Sequence, residues 1–135
     1  MAAPKTPRSI RNNNPLNIRI GNTWLGETPF ATDSEFETFV HIRYGLRAAF
    51  CILRRYIRKY RRNTVEKIVR AWPTGSTLKV EDYISIVCQR SGLEPATELY
   101  YDDEEAMESL VGAMAFVESG QVVPWSEIIE AYDIA

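Results

Sequence analysis

A chain of 135 residues, 45% hydrophobic and 25% charged, can bury a core without disulfide staples and has neither a disordered nor a fibrous composition. No run approaches the ~20 apolar residues of a membrane span, and MAAPKTPRSIR lacks the apolar stretch of a secretory signal. The net charge of −2 conceals a dipole: residues 1–70 hold 14 Lys and Arg against 5 Asp and Glu, and residues 71–135 hold 2 against 13. Such halves can attract one another, or adjacent copies can pack head to tail.

Residues 1–10, with two prolines, read as a flexible tail, and residues 11–135 as a single domain. The run RNNNPLNIR, Arg11 to Arg19, is a poor helix and a poor strand. Asparagine side chains bond nearby backbone groups and tolerate the left-handed region, and Pro15 pushes Asn14 into an extended conformation. The run is therefore a rigid, amide-rich loop. Short extended pieces around Ile18–Ile20 and Phe36–Val40, with turn signals on both sides of Trp24, predict a small β-ribbon within residues 11–40.

Helices follow. Leu46, Phe50, Leu53, Ile57 and Tyr60 recur at spacings of three and four and predict an amphipathic helix over Arg43–Arg61. Asn63, with Glu66 three residues on, reads as the capping box of a second helix that Pro73 ends. A third runs from Glu81 to Ser91 and stops at Gly92; a fourth begins after Asp102 and stops at Gly120; a fifth spans Pro124 to Asp133. The expected fold is mainly α with an α+β character: a loop and ribbon followed by about five helices.

Cys51 and Cys88 fall inside apolar helical patterns and read as buried thiols of a reducing compartment. With one histidine, His41, they make no zinc site, and neither a metal nor a cofactor is expected.

Glu118 is the sharpest single residue. It lies four positions after Met114 and seven after Val111, on the apolar stripe, whereas Glu104, Glu105 and Glu108 suit the solvent face. A buried place in the last helical turn disfavours the ionised form, which suits a general acid. The structural alternative is a pair with an arginine of the basic half. Asn12, Asn13, Asn14 and Asn17, with Arg11, either hold a glycan or brace the loop. Trp24 and Tyr44 could stack on a sugar or plug the core. Glu35 and Glu37 flank Phe36 and are candidates for a second carboxylate. The basic run RRYIRKYRR, Arg54 to Arg62, reads as a solvated or docking helix face, and less readily as a nucleic-acid interface.

RNNNPLNIR, Trp24-Leu25-Gly26, Tyr44-Gly45-Leu46-Arg47-Ala48, Asn63-Thr64-Val65, Ala71-Trp72-Pro73, AMAFVESG and EAYDIA together resemble small proteins of phages and of integrated elements in Bacteroidetes, labelled phage structural protein. The sequence departs from that pattern in the linker Trp72-Pro73-Thr74-Gly75-Ser76. More distantly, the Asn-Asn-Pro-x-Asn motif is similar to one in longer phage proteins that look like lysozymes or lytic transglycosylases, where it follows a helix ending in Glu-Gly. Here the matching helix, ending Val117-Glu118-Ser119-Gly120, lies at the other end of the chain. The resemblance implies a circularly permuted lysozyme-like fold that binds and cleaves the β-1,4 bond of peptidoglycan, with Glu118 as the acid. That arrangement requires Glu118 within about 12 Å of Asn14 and Asn17, given the short reach of acid catalysis. The other implied reading is a non-catalytic virion or mobile-element structural protein, in the host cytoplasm or on the virion, whose partners are other virion proteins.

Overall fold

The computed structural model describes residues 6–135, so residues 1–5 of the expected tail lie outside the described part. Six helices follow in order: α1 Arg8–Arg11, α2 Ile42–Arg58, α3 Val65–Ala71, α4 Val80–Ser91, α5 Glu104–Ser119 and α6 Trp125–Asp133. The first is a single turn that begins inside the segment read as tail and ends at Arg11. No helix among the described residues is long and apolar enough to cross a membrane.

Apolar spacing explains the packing. On α2, Leu46, Ala49, Phe50 and Leu53 are fully buried. The stripe ends there, because Ile57 is only partly covered and Tyr60, beyond the helix, is 48% exposed. α5 lies at the centre, with Met107, Leu110, Val111 and Met114 without exposed surface. It packs against α4 on one side and α6 on the other, and α6 in turn packs on α2. A Cβ on Gly112 of α5 would lie 3.3 Å from Ile128 Cδ1 of α6, so the small residue permits the close approach.

The caps follow side-chain chemistry. Gly92 and Gly120 end α4 and α5 at φ +74° and +73°, the left-handed conformation that glycine adopts without strain. Asp103 caps α5 by accepting from Ala106 N. For α3 the cap is Thr64, accepting from Lys67 N, one residue beyond the expected Asn63. The Asn63 carbonyl instead accepts from Leu99 N, and its amide donates to Glu98. Glu66 pairs forward with Arg70 rather than back to the cap. Both cysteines are free thiols and only half-buried.

The expected β-ribbon is absent: among the described residues there is no strand, only isolated bridges such as Arg19 with Phe36 and Glu27 with Phe39. Asn14 supplies the physical reason. Ile20 N donates to Glu35 O and Glu37 N to Ile18 O, as in an antiparallel ladder. The Ile18 N to Glu37 O rung is replaced by the Asn14 side chain. Its Oδ1 accepts from Ile18 N at 2.9 Å and its Nδ2 donates to Glu37 O at 3.0 Å. The fold is an all-α bundle with a long irregular loop, and the mixed, permuted lysozyme-like architecture is not present.

Candidate functional site

The asparagine run is held almost entirely from inside. Asn14 is fully buried and Asn12 and Asn17 nearly so. Asn12 donates to Asp33 Oδ2 at 3.0 Å, and Asn13 to the Phe39 carbonyl at 3.0 Å. Asn13 and Asn17 both take positive φ, 52° and 53°, which asparagine tolerates better than most side chains. Trp72 Nε1 reaches the Leu16 carbonyl at 3.1 Å and ties the loop to the end of α3. Arg11 is exposed.

The far end of this loop meets the far end of α5. Asn17 Nδ2 donates to Glu118 Oε1 at 2.9 Å and also reaches the Glu118 carbonyl at 3.2 Å. Oε1 takes a second bond from Gly75 N at 2.9 Å. Oε2 accepts from Thr74 Oγ1 at 2.6 Å and from Tyr83 OH at 2.9 Å. Four donors from three separate segments converge on one carboxylate. Burial first, then the adjacent Glu118 charge, holds the Tyr83 phenol well above its ordinary value, so it stays a donor.

Nothing in the sequence marks Thr74, Gly75 or Tyr83 as partners of Glu118. Thr74 and Gly75 sit in the linker where the chain departs from the phage pattern, and Tyr83 reads as ordinary core. Gly75 is selected by crowding, since a Cβ there would lie 2.8 Å from Asn17 Nδ2. Arg19 anchors the same linker by bonding the Thr74 carbonyl at 3.0 Å.

The other carboxylates do not join this node. Glu35 is exposed and pairs with Arg8 and Arg19, whose guanidiniums flank the Phe36 ring at 4.7 and 4.8 Å. Glu37 is buried beside Glu27. Burial first, then the Glu27 hydrogen bond and charge, pushes the Glu37 carboxyl up to about 8. Glu108, read as solvent-facing, is 5% exposed, and burial with neighbouring Glu104 raises it to about 7. The Tyr44 ring packs over Gly26, where a Cβ would come within 2.2 Å.

Trp24 packs against the core, its Nε1 buried without an acceptor. It also lines an open cleft of about 250 Å³ with Arg19, Arg55, Tyr56, Tyr60 and Trp72. The basic end of α2 borders this cleft. Arg62 stacks on Tyr56 and Tyr60 at 4.9 and 5.1 Å, and Arg54 and Arg58 stack on Tyr101. Among the described residues, no salt bridge engages any cation from Arg54 to Arg62.

Over 117 residues the sequence is 34% identical to Protein P5 of Pseudoalteromonas phage PM2, covering 84% of this chain and 71% of that protein. The chain belongs to the Protein P5 family. No protein-family model matches it. Membership in the Protein P5 family makes it phage-related. The lysozyme-like resemblance does not stand: the regular structure is all helix, with no strand among the described residues. The expected binding and cleavage of peptidoglycan, which rested on that resemblance, falls with it.

Proposed function

We propose that the protein is a non-catalytic structural component of a phage or phage-derived mobile element, acting on the virion or in the host cytoplasm through contacts with other virion proteins. The observation that carries this reading is the state of Glu118. Its oxygens are engaged by Asn17, Thr74, Gly75 and Tyr83. A general acid needs a proton directed at substrate; a carboxylate encircled by protein donors acts as a latch. The latch joins the asparagine loop, the linker after α3, α4 and α5. Relationship to a phage protein and resemblance to small phage structural proteins support the same reading, and the unpaired charges at the surface supply the means of contact.

Two measurements test the proposal. On a peptidoglycan zymogram the purified protein should be indistinguishable from buffer. In density-gradient fractions of particles produced by the encoding element, antibody against the protein should find it in the particle band. Clearing that vanishes in a folded Glu118→Gln variant, or absence from the particles, overturns the structural reading.

A further inference from the structure

Two surfaces of this chain complement each other in charge and face different ways. The first is the cleft beside α2, walled by Trp24, Tyr56, Tyr60 and Trp72 and edged by Arg55. It is smaller than the roughly 300–1,000 Å³ of pockets that enclose drug-sized ligands, so it suits one side chain rather than an extended ligand. Among the described residues Arg55 and its cationic neighbours on α2 form no salt bridge, whereas Arg19, on the opposite rim of the cleft, pairs with Glu35, and Arg8, Arg43 and Arg70 also have acidic partners.

The second surface is the turn Tyr100-Tyr101-Asp102-Asp103-Glu104-Glu105. Tyr100 is 58% exposed, and the four acidic residues after it are exposed as well. The turn is ordered: Asp103 N bonds the Tyr100 carbonyl at 3.0 Å, and Asp103 caps α5. It therefore presents one aromatic side chain followed by a block of negative charge. Among the described residues these four acids also lack a basic partner.

Helix geometry keeps the two apart. Arg54 and Arg58 lean on Tyr101 and so mark the side of α2 nearest the acidic turn. Tyr56, which lines the cleft, is two residues from Arg54, more than half a helical turn round the axis. The aromatic floor of the cleft at Tyr56 thus faces away from the acidic turn, with Arg55 on the rim between them.

We propose that the cleft receives the acidic turn of a second copy of the chain, with the partner copy's Tyr100 among the aromatic walls and its acidic block against Arg55 and Lys59. Different surfaces meet at such a contact, so it is heterologous and propagates head to tail into a ring or a filament. The proposal rests on the structural reading above and names the partner. The charge match favours this occupant over an apolar peptide, and the ordered, preformed turn limits the entropy lost on docking.

Sedimentation velocity over a concentration series tests it. The wild type should show mass rising with concentration at low salt and falling in 1 M salt, where the Debye length is about 3 Å. Arg55→Glu and Asp102→Arg, both at exposed positions, should each weaken self-association more than tenfold, with unchanged thermal melts. Tyr100→Ala should weaken it without changing charge. Each single charge variant keeps one intact surface, and the two reversed charges complement each other across the contact, so an equimolar mixture of Arg55→Glu with Asp102→Arg should associate where neither variant does alone. A wild type that stays monomeric at all soluble concentrations, or a mixture that does not pair, overturns the proposal. So does loss, in Arg55→Glu, of salt-dependent binding to a single-stranded oligonucleotide in place of self-association. A monomer that still fractionates with particles would sink the self-docking alone, whereas a self-associating protein absent from particles would sink the structural role alone.

Discussion

The amide of Asn17 donates to Glu118 Oε1 at 2.9 Å, joining positions 101 residues apart. The bond closes a node in which the loop between α1 and α2 is fastened to the C-terminal turn of α5. The donors on Glu118 come from the asparagine loop, the linker after α3 and α4, so one carboxylate ties three segments to the end of α5.

Glu118→Gln is the direct test of that role. The amide offers a donor where an oxygen now accepts, so one or two of the four partners lose their acceptor. Hydrogen bonds to a charged group contribute about 1.5–3 kcal/mol, and a buried orphan costs further. The variant should lose about 2–4 kcal/mol, read as a lower urea midpoint at unchanged slope. A loss under about 0.5 kcal/mol would falsify the latch.

Two glycine-to-alanine changes should act in opposite directions. A Cβ on Gly45 of α2 would lie 2.0 Å from the Asn13 carbonyl oxygen, a backbone atom that cannot step aside. Gly45→Ala should cost about 3 kcal/mol or fail to fold, because overpacking of this kind costs about 1–3 kcal/mol even where side chains can yield. Gly112→Ala meets only the end of the Ile128 side chain at 3.3 Å. Helix propensity favours alanine by about 1 kcal/mol, so this variant should be neutral or slightly stabilised. Thermal melts of the pair decide the matter, and equal losses would contradict the close approach of α2 to the asparagine loop.

Stability should fall as pH rises through neutrality. The folded protein holds the Glu37 carboxyl up to about 8 against an ordinary 4.5, through burial and the neighbouring Glu27. Between those values the folded state keeps a proton that the unfolded state has released, and stability declines with pH. Glu108, raised to about 7, adds the same sign over a narrower window. Asp33 works the other way. The Arg8 guanidinium holds it far below its ordinary 3.8, so its contribution is present above that value and lost in stronger acid. Glu37→Gln should flatten the decline and be more stable than the wild type at pH 8. Parallel urea curves for both proteins from pH 5 to 8 would contradict the buried pair.

Arg61 sits at φ 55°, just past the end of α2, where glycine is the usual occupant. A left-handed residue with a Cβ costs roughly 1–2 kcal/mol, partly offset by the unfolded-state freedom of glycine. Arg61→Gly should therefore raise stability by up to about 1 kcal/mol. A lower melting temperature would mean that the arginine side chain makes a contact worth more than the strain.

The sequence alone determined what local chemistry determines. Period 3.6 located α2 to α6, because apolar residues on one helical face are self-consistent over three or four turns. Gly92 and Gly120 marked ends because only a left-handed residue closes those turns cheaply. The asparagine run was legible as a rigid, polar loop for the same local reason.

Tertiary structure decided everything that depends on a distant partner. Asn14 looks like a turn residue, yet its side chain replaces a ladder rung in the ribbon that the extended pieces around Ile18–Ile20 and Phe36–Val40 suggest. Glu108 reads as exposed from helical spacing and is covered once α6 packs beside α5. Tyr60 reads as core and is exposed because α2 ends at Arg58. Glu118 reads as an acid in waiting, since nothing adjacent in sequence supplies donors. Its partners come from residues 17, 74, 75 and 83. A hydrogen bond leaves no periodic trace when its two ends lie in different segments, so whether a buried carboxylate is free or saturated is a property of the folded chain.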